Sequence, residues 1–248
     1  MKTYSLILLF TVVISINLTL IAVAEYNKSM KFSYNHLYNY KKIFGFTKQF
    51  IFSGKNIDFD SEEVNKLVSH FENMETPSLY NFNNVKSNKI YHYDLKKIIP
   101  KCINYIESDD FSLNISSLVG TKLYISDDLN DKIFARSYIN ENDNIKWHYD
   151  NNFSNGKRYT VIIPVYINEK NTSSLQYVNP SHKQVLNVID DKENLYLYEG
   201  DKIYHRVTEQ VNGGKRIVII IPMYEKKFTR IGKLKIFLKN KFFKFFGL

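Results

Sequence analysis

A chain of 248 residues, 44% apolar and 15% aromatic, is long and apolar enough to bury one sizeable core, which excludes a disordered chain. The formal net charge of +9 is concentrated at one end: residues 226–248 hold eight Lys/Arg and no acid, so the rest carries only +1. No nucleic-acid-binding motif is present and no nucleic-acid partner is expected, while a single cysteine, Cys102, excludes an intrachain disulfide.

In chain order, Ser5 to Ala24 comes first, an uncharged run long enough to span a bilayer core. Only Lys2 precedes it, whereas Lys28, Lys31, Lys41 and Lys42 follow, which places the rest of the protein on the cytoplasmic side. Residues 1–24 are thus expected to be a single-pass membrane anchor. Ala22-Val23-Ala24 also fits a signal-peptide cleavage site, which would leave a secreted or periplasmic protein.

Residues 25–118 read as a helical N-terminal support region. Up to about 60 the stretch is rich in Tyr, Phe and Lys with little period. Val64, Leu67, Val68, Phe71 and Met74 then form one helical face, with Ser61 as the expected N-cap. Leu95, Ile98, Ile99, Cys102, Ile103 and Ile106 form a second, which Pro100 kinks or starts. His92 and Asp94 precede this stripe and read as a helix-start pair, with Asp94 as N-cap.

From Lys122 short apolar strands alternate with Asn/Asp/Gly turns: Leu123–Ser126, Ile133–Ile139, Lys146–Asp150, Tyr159–Ile167, Leu175–Val178, Val185–Val188, Leu195–Tyr198, Ile203–Val207 and Arg216–Tyr224. The reading is a mainly β domain over 119–224, a jelly roll or barrel, with the helices packed on one sheet. Residues 225–248 interleave Lys and Phe. They read as a basic aromatic tail that would meet an anionic membrane surface.

The chemistry lies in Trp147-His148-Tyr149-Asp150. Residues i and i+2 of an extended strand share a face, so His148 and Asp150 can aim an imidazole and a carboxylate at one point. His205 sits in a second apolar strand segment. Two histidines and one carboxylate on one side of a metal form the facial triad of non-haem Fe(II) sites. His92-Tyr93-Asp94 repeats the three letters but runs straight into a helical stripe. Arg216 opens the apolar run Ile217–Pro222, and a buried cation needs a partner. Lys215 points to the opposite face, and since both faces look buried, parity does not choose between them.

In these residues the chain resembles the Fe(II)/2-oxoglutarate-dependent oxygenases, particularly their prolyl-hydroxylase-like branch. The resemblance spans roughly 120 to 224. It rests on His148-x-Asp150, on His205, and on Arg216 eleven residues later in a segment with a Gly-containing turn. Arg158-Tyr-Thr-Val-Ile-Ile-Pro-Val-Tyr166-Ile-Asn168 resembles the strand after the first motif, and Tyr138 stands ten residues before His148. The resemblance implies a cupin-like double-stranded β-helix. It implies Fe(II) held by His148, Asp150 and His205, with 2-oxoglutarate and dioxygen as cosubstrates and succinate and CO2 as products. Arg216 or Lys215 would grip the far carboxylate of 2-oxoglutarate, the planar fork favouring Arg216. Tyr138 and Tyr166 would contact the cosubstrate. The substrate stays open: a small molecule, a lipid, a glycan or a peptidyl side chain. A membrane-tethered jelly-roll binding module without turnover is the alternative of another class.

Overall fold

The computed structural model describes residues 51–74, 85–126, 132–152, 156–179, 181–188 and 192–227. The elements in order are β1 (Ile51–Lys55), α1 (Ser61–Glu72), β2 (Val85–Lys86), β3 (Asn88–Tyr91), α2 (His92–Ile98), α3 (Pro100–Ile106) and α4 (Asp109–Val119). There follow β4 (Tyr124–Ile125), β5 (Phe134–Tyr138), β6 (Asn144–His148), β7 (Arg158–Ile167), β8 (Leu175–Val178), β9 (Val185–Asn187), β10 (Asn194–Glu199), β11 (His205–Val207) and β12 (Arg216–Tyr224). Each strand expected from residue 123 onward is present. Three more, β1 to β3, come from the stretch in which only helices stood out.

The strands form two antiparallel sheets. The larger runs β1-β10-β7-β12-β5-β3, with β4 also on β12; the smaller runs β2-β6-β11-β8-β9. This is the jelly-roll arrangement that strand number and turn spacing indicate.

Alternation along the long strands divides the core in two. Val161, Ile163, Leu197, Ile217, Ile219 and Ile221 join Leu67, Phe71, Ile103 and Ile115 of the helices in one buried cluster. Ile162, Tyr196, Tyr198 and Val218 join Ile145, Leu175 and Val207 of the smaller sheet in the other. The larger sheet is therefore covered on both faces, which is why β12 reads as an unbroken apolar run.

The helix starts differ in detail from the sequence expectation. Asp60, not Ser61, caps α1, its carboxylate accepting from Glu62 N and Glu63 N at 2.9 and 3.3 Å. Asp94 caps nothing: α2 begins at His92, Tyr91 is its cap residue, and Asp94 pairs with Lys97 at 3.0 Å. Pro100 breaks the second stripe rather than kinking it. It opens α3 at the first helical position, where its missing N–H is no loss. The cap residue of α3, Ile99, offers no side-chain acceptor. Buried Glu63 of α1 supplies one instead, accepting from Lys101 N at 2.8 Å and Cys102 N at 3.1 Å. Cys102 is core, and burial pushes its thiol up to about 12.

The expected single-pass anchor with a cytoplasmic catalytic domain is corrected. Among the described residues no helix is long and apolar enough to cross a membrane. The run 5–24 and the stretch 228–248 lie outside the described residues.

Candidate metal centre

β6 and β11 are hydrogen-bonded neighbours, and their register sets His148 opposite His205. Paired residues of an antiparallel ladder share a face, so the two imidazoles meet with ring centroids 4.2 Å apart. Asp150 lies just past the end of β6, where its N–H donates to Gly200 O at 2.9 Å. Its Oδ1 stands 3.8 Å from His148 Nε2 and 3.9 Å from His205 Nε2. The three ligand atoms all lie within 4.8 Å of one another.

The surroundings fix which atoms face this point. His148 Nδ1 is 2.8 Å from Lys146 O, and His205 Nδ1 is 2.8 Å from Ile203 O. A carbonyl only accepts, so both Nδ1 atoms carry the proton and both Nε2 lone pairs are left to the centre. On Asp150, Oδ2 is taken by Arg158 Nη1 at 2.6 Å and by the Thr160 hydroxyl, which leaves Oδ1 toward the histidines.

The electrostatics agree. Burial alone would raise the Asp150 carboxyl, but the Arg158 guanidinium, then the two imidazoles and the Thr160 hydroxyl, hold it well below the usual carboxylate range. Loss of hydration lowers His148 to about 3, with His205 adding to the effect, and lowers His205 as well. The site thus presents two neutral imidazoles and one carboxylate, the protonation states a metal requires. This donor set fits Fe(II) as a facial triad.

The triad lines a cavity of about 250 Å³ between the sheets. Tyr138 and Arg216 line it too, each 1% exposed, on a cross-strand pair of β5 and β12 with Arg216 Cζ 5.3 Å from the Tyr138 ring centroid.

Lys215 and Tyr166 do not reach the cavity. Lys215 turns to the helical side and ion-pairs with Glu72 of α1, so the cosubstrate role held open for it is corrected. Tyr166 lies with the cluster under the helices, its ring 5.4 Å from Lys192 Nζ. Strict alternation from Ile162 would have turned Tyr166 inward. A register shift on the β7–β12 ladder between Ile217 and Val218 pairs it instead with outward-facing Ile217. His92, of the other His-x-Asp, is buried against Glu107, with Nε2 3.0 Å from Oε1.

Sequence reasoning missed four contributors. Arg158 and Thr160 alternate along β7 as His148 and Asp150 do at the end of β6, but their role depends on contact with Asp150 from another strand. Tyr198 packs edge-on against His205 at 4.9 Å. At Gly200 a Cβ would stand 2.1 Å from Asp150 Oδ2 and 2.5 Å from Thr160 Oγ1, so only glycine fits beside the carboxylate.

No protein-family model and no curated protein sequence matches the chain. Solved structures do. One is the non-haem α-ketoglutarate-dependent epimerase SnoN of nogalamycin biosynthesis, with 9% identity, TM-score 0.53, and coverage of 77% of this chain and 80% of that one. A second is HygX from Streptomyces hygroscopicus with nickel and 2-oxoglutarate bound, with 12% identity, TM-score 0.51, and coverage of 80% and 89%. A third is EctD from S. alaskensis with 2-oxoglutarate and 5-hydroxyectoine, with 10% identity, TM-score 0.51, and coverage of 78% and 76%. At the level of fold the resemblance read in the sequence holds: the chain has the double-stranded β-helix fold of these 2-oxoglutarate-binding and 2-oxoglutarate-dependent proteins.

Proposed function

We propose that the protein is an Fe(II)- and 2-oxoglutarate-dependent dioxygenase that oxidises an organic substrate while 2-oxoglutarate becomes succinate and CO2. The observation that carries this reading is the convergence of His148, Asp150 and His205 on the wall of a cavity that also holds buried Arg216. Fe(II) bound to the three side chains would supply dioxygen activation and redox chemistry with positions left open for cosubstrate and dioxygen.

The chain's own part is positioning. The carbonyls of Lys146 and Ile203 hold the imidazoles in one tautomer. Arg158 and Thr160 keep Asp150 ionised and aimed. Arg216 offers a planar fork to the far carboxylate of 2-oxoglutarate, and Tyr138 beside it presents a hydroxyl to the same ligand. The apolar residues between the sheets exclude bulk water from these contacts, which strengthens them.

Succinate release from 2-oxoglutarate tests the reading. It should require Fe(II) and dioxygen and should vanish in Asp150→Ala. Succinate formation without added iron in chelator-treated protein, or at the native rate in Asp150→Ala, would overturn it.

A further inference from the structure

The inner face of the larger sheet carries a third arginine, one that neither the metal centre nor the proposed cosubstrate contact uses. Arg136 of β5 stands two residues before Tyr138, on the same face, and lines the same cavity. Across the ladders it is opposite Val218 of β12 and Lys89 of β3. Tyr138 is opposite Arg216. The two arginines are therefore one inward-facing rung apart on neighbouring strands.

The setting of Arg136 is that of a cation awaiting an anion. Its Nη1 donates to Ser87 Oγ at 2.7 Å, and its Cζ stands 5.7 Å from the Phe134 ring. Among the described residues no carboxylate makes an ion pair with it. A guanidinium has five N–H donors in a fixed fork, and one contact to a hydroxyl leaves most of them for a ligand.

Charge balance favours the same conclusion. The described cavity lining includes Lys89, Arg136, Arg158 and Arg216 but only one carboxylate, Asp150, which Arg158 holds. A divalent metal and a 2-oxoglutarate dianion bring equal and opposite charge, so the lining keeps its excess of three positive side chains when both are bound. The charge of Arg136 then has no counterpart among the lining side chains.

We propose that Arg136 receives an oxyanion group of the substrate, a carboxylate or a phosphate, and so sets the substrate class as an acid. Lys89, its partner on the edge strand, adds to the positive field on that side of the cavity. Phe134, on the same strand face and in the lining, has Lys89 Nζ 3.8 Å from its ring centroid, which seats that ammonium beside Arg136. The assignment of Arg136 to substrate rather than cosubstrate rests on the oxygenase reading, which gives Arg216 to 2-oxoglutarate.

The test uses the full chain with Fe(II) and 2-oxoglutarate under anaerobic conditions. Acetate and methylphosphonate serve as probes for the two oxyanions, with binding read by calorimetry and the visible absorption of the Fe(II)–2-oxoglutarate complex read in parallel. At least one probe should bind native protein, and Arg136→Gln should weaken it tenfold or more with the visible absorption unchanged. Arg136→Lys keeps the charge without the fork and should retain part of the binding. The stronger probe identifies the oxyanion. Failure of both probes to bind, or equal binding by Arg136→Gln, would overturn the proposal. So would loss of the visible absorption in Arg136→Gln together with its survival in Arg216→Gln, which would make Arg136 the cosubstrate's cation. If native protein shows no visible absorption yet still binds a probe through Arg136, the oxygenase reading fails and the anion site stands.

Discussion

A methyl group at position 200 would sit 2.1 Å from Asp150 Oδ2, with Thr160 Oγ1 at 2.5 Å and Arg158 Nη1 at 3.0 Å. None of these atoms can retreat without releasing the carboxylate from the groups that aim it. Gly200→Ala should therefore cost about 10–100-fold in Fe(II) affinity, the range for disturbing groups that orient metal ligands. Equilibrium dialysis with Fe(II) measures this, and native affinity would show that the carboxylate needs no such support. At the far carboxylate, Arg216→Ala should weaken 2-oxoglutarate by about 2–4 kcal/mol, the scale for removing one partner of a buried charge pair. Lys215→Ala should leave binding near native, because that side chain is held by Glu72 outside the cavity. The reverse ranking in a binding titration would contradict the placement.

His148 gives a pH signature. Its folded ionisation is lowered to about 3, first by loss of hydration and then by His205, against roughly 6.5 in an unfolded chain. The unfolded state thus takes up a proton that the folded state refuses. The metal-free protein should keep this contribution to stability above pH ~6.5 and lose it progressively as the pH falls from there toward 3. Melting temperature against pH in the presence of a chelator checks this, and His148→Gln should flatten the dependence over that interval. An unchanged slope would contradict it. His148 and Asp150 were legible in the sequence because their i, i+2 spacing puts them on one strand face, and His205 and Arg216 because each is a polar residue in an apolar strand segment; parity alone did not choose Arg216 over Lys215. Tyr166 came only from the resemblance, and a register shift on the β7–β12 ladder, which leaves no composition signal, turns it to the helix side. Gly200 was silent because its importance comes from a residue fifty positions away.

Elements were most legible where the chain alternates β-branched and aromatic residues between turn residues. β8 and β12 have the bounds expected, and the other strands after residue 123 differ only at their ends. Helix starts were read less well. Asp60 and Ser61 are both competent caps, and the choice rests on backbone geometry that sequence does not carry. α4 was overlooked although it has a Ser108 cap accepting from Phe111 N and a left-handed Gly120 at its end. Strands β1 to β3 are short and draw their pairing from distant partners such as β10 and β6, which local pattern cannot reveal. Nor could it reveal the cap on α3, because Glu63 lies 38 residues before Lys101. Glu63→Ala would leave the N–H groups of Lys101 and Cys102 without their acceptor, the second of them buried. It should destabilise the protein by about 1–2 kcal/mol. Urea denaturation measures the change, and a midpoint equal to native would show that another group caps α3.

At the scale of the molecule, the larger sheet is a wall with two uses. Its outer face is sealed by α1 to α4 through Leu67, Phe71, Leu95, Ile103 and Ile115. The inner face presents Tyr138, Arg136, Arg158, Thr160, Tyr198 and Arg216 to the cavity. The smaller sheet supplies His148 and His205, with Asp150 just beyond its strand β6. The metal centre therefore depends on both sheets: two ligands come from one and the orienting Arg158 and Thr160 from the other. The chain also contains its own control, since His92 repeats the spacing but is spent on Glu107. Anaerobic addition of Fe(II) and then 2-oxoglutarate, followed by visible absorption, tests the central claim most directly. Native protein and His92→Ala should develop the charge-transfer band of a 2-oxoglutarate–Fe(II) complex, and His148→Ala, Asp150→Ala and His205→Ala should not. A band that is absent from native protein, or that survives the three substitutions and disappears in His92→Ala, would contradict the account.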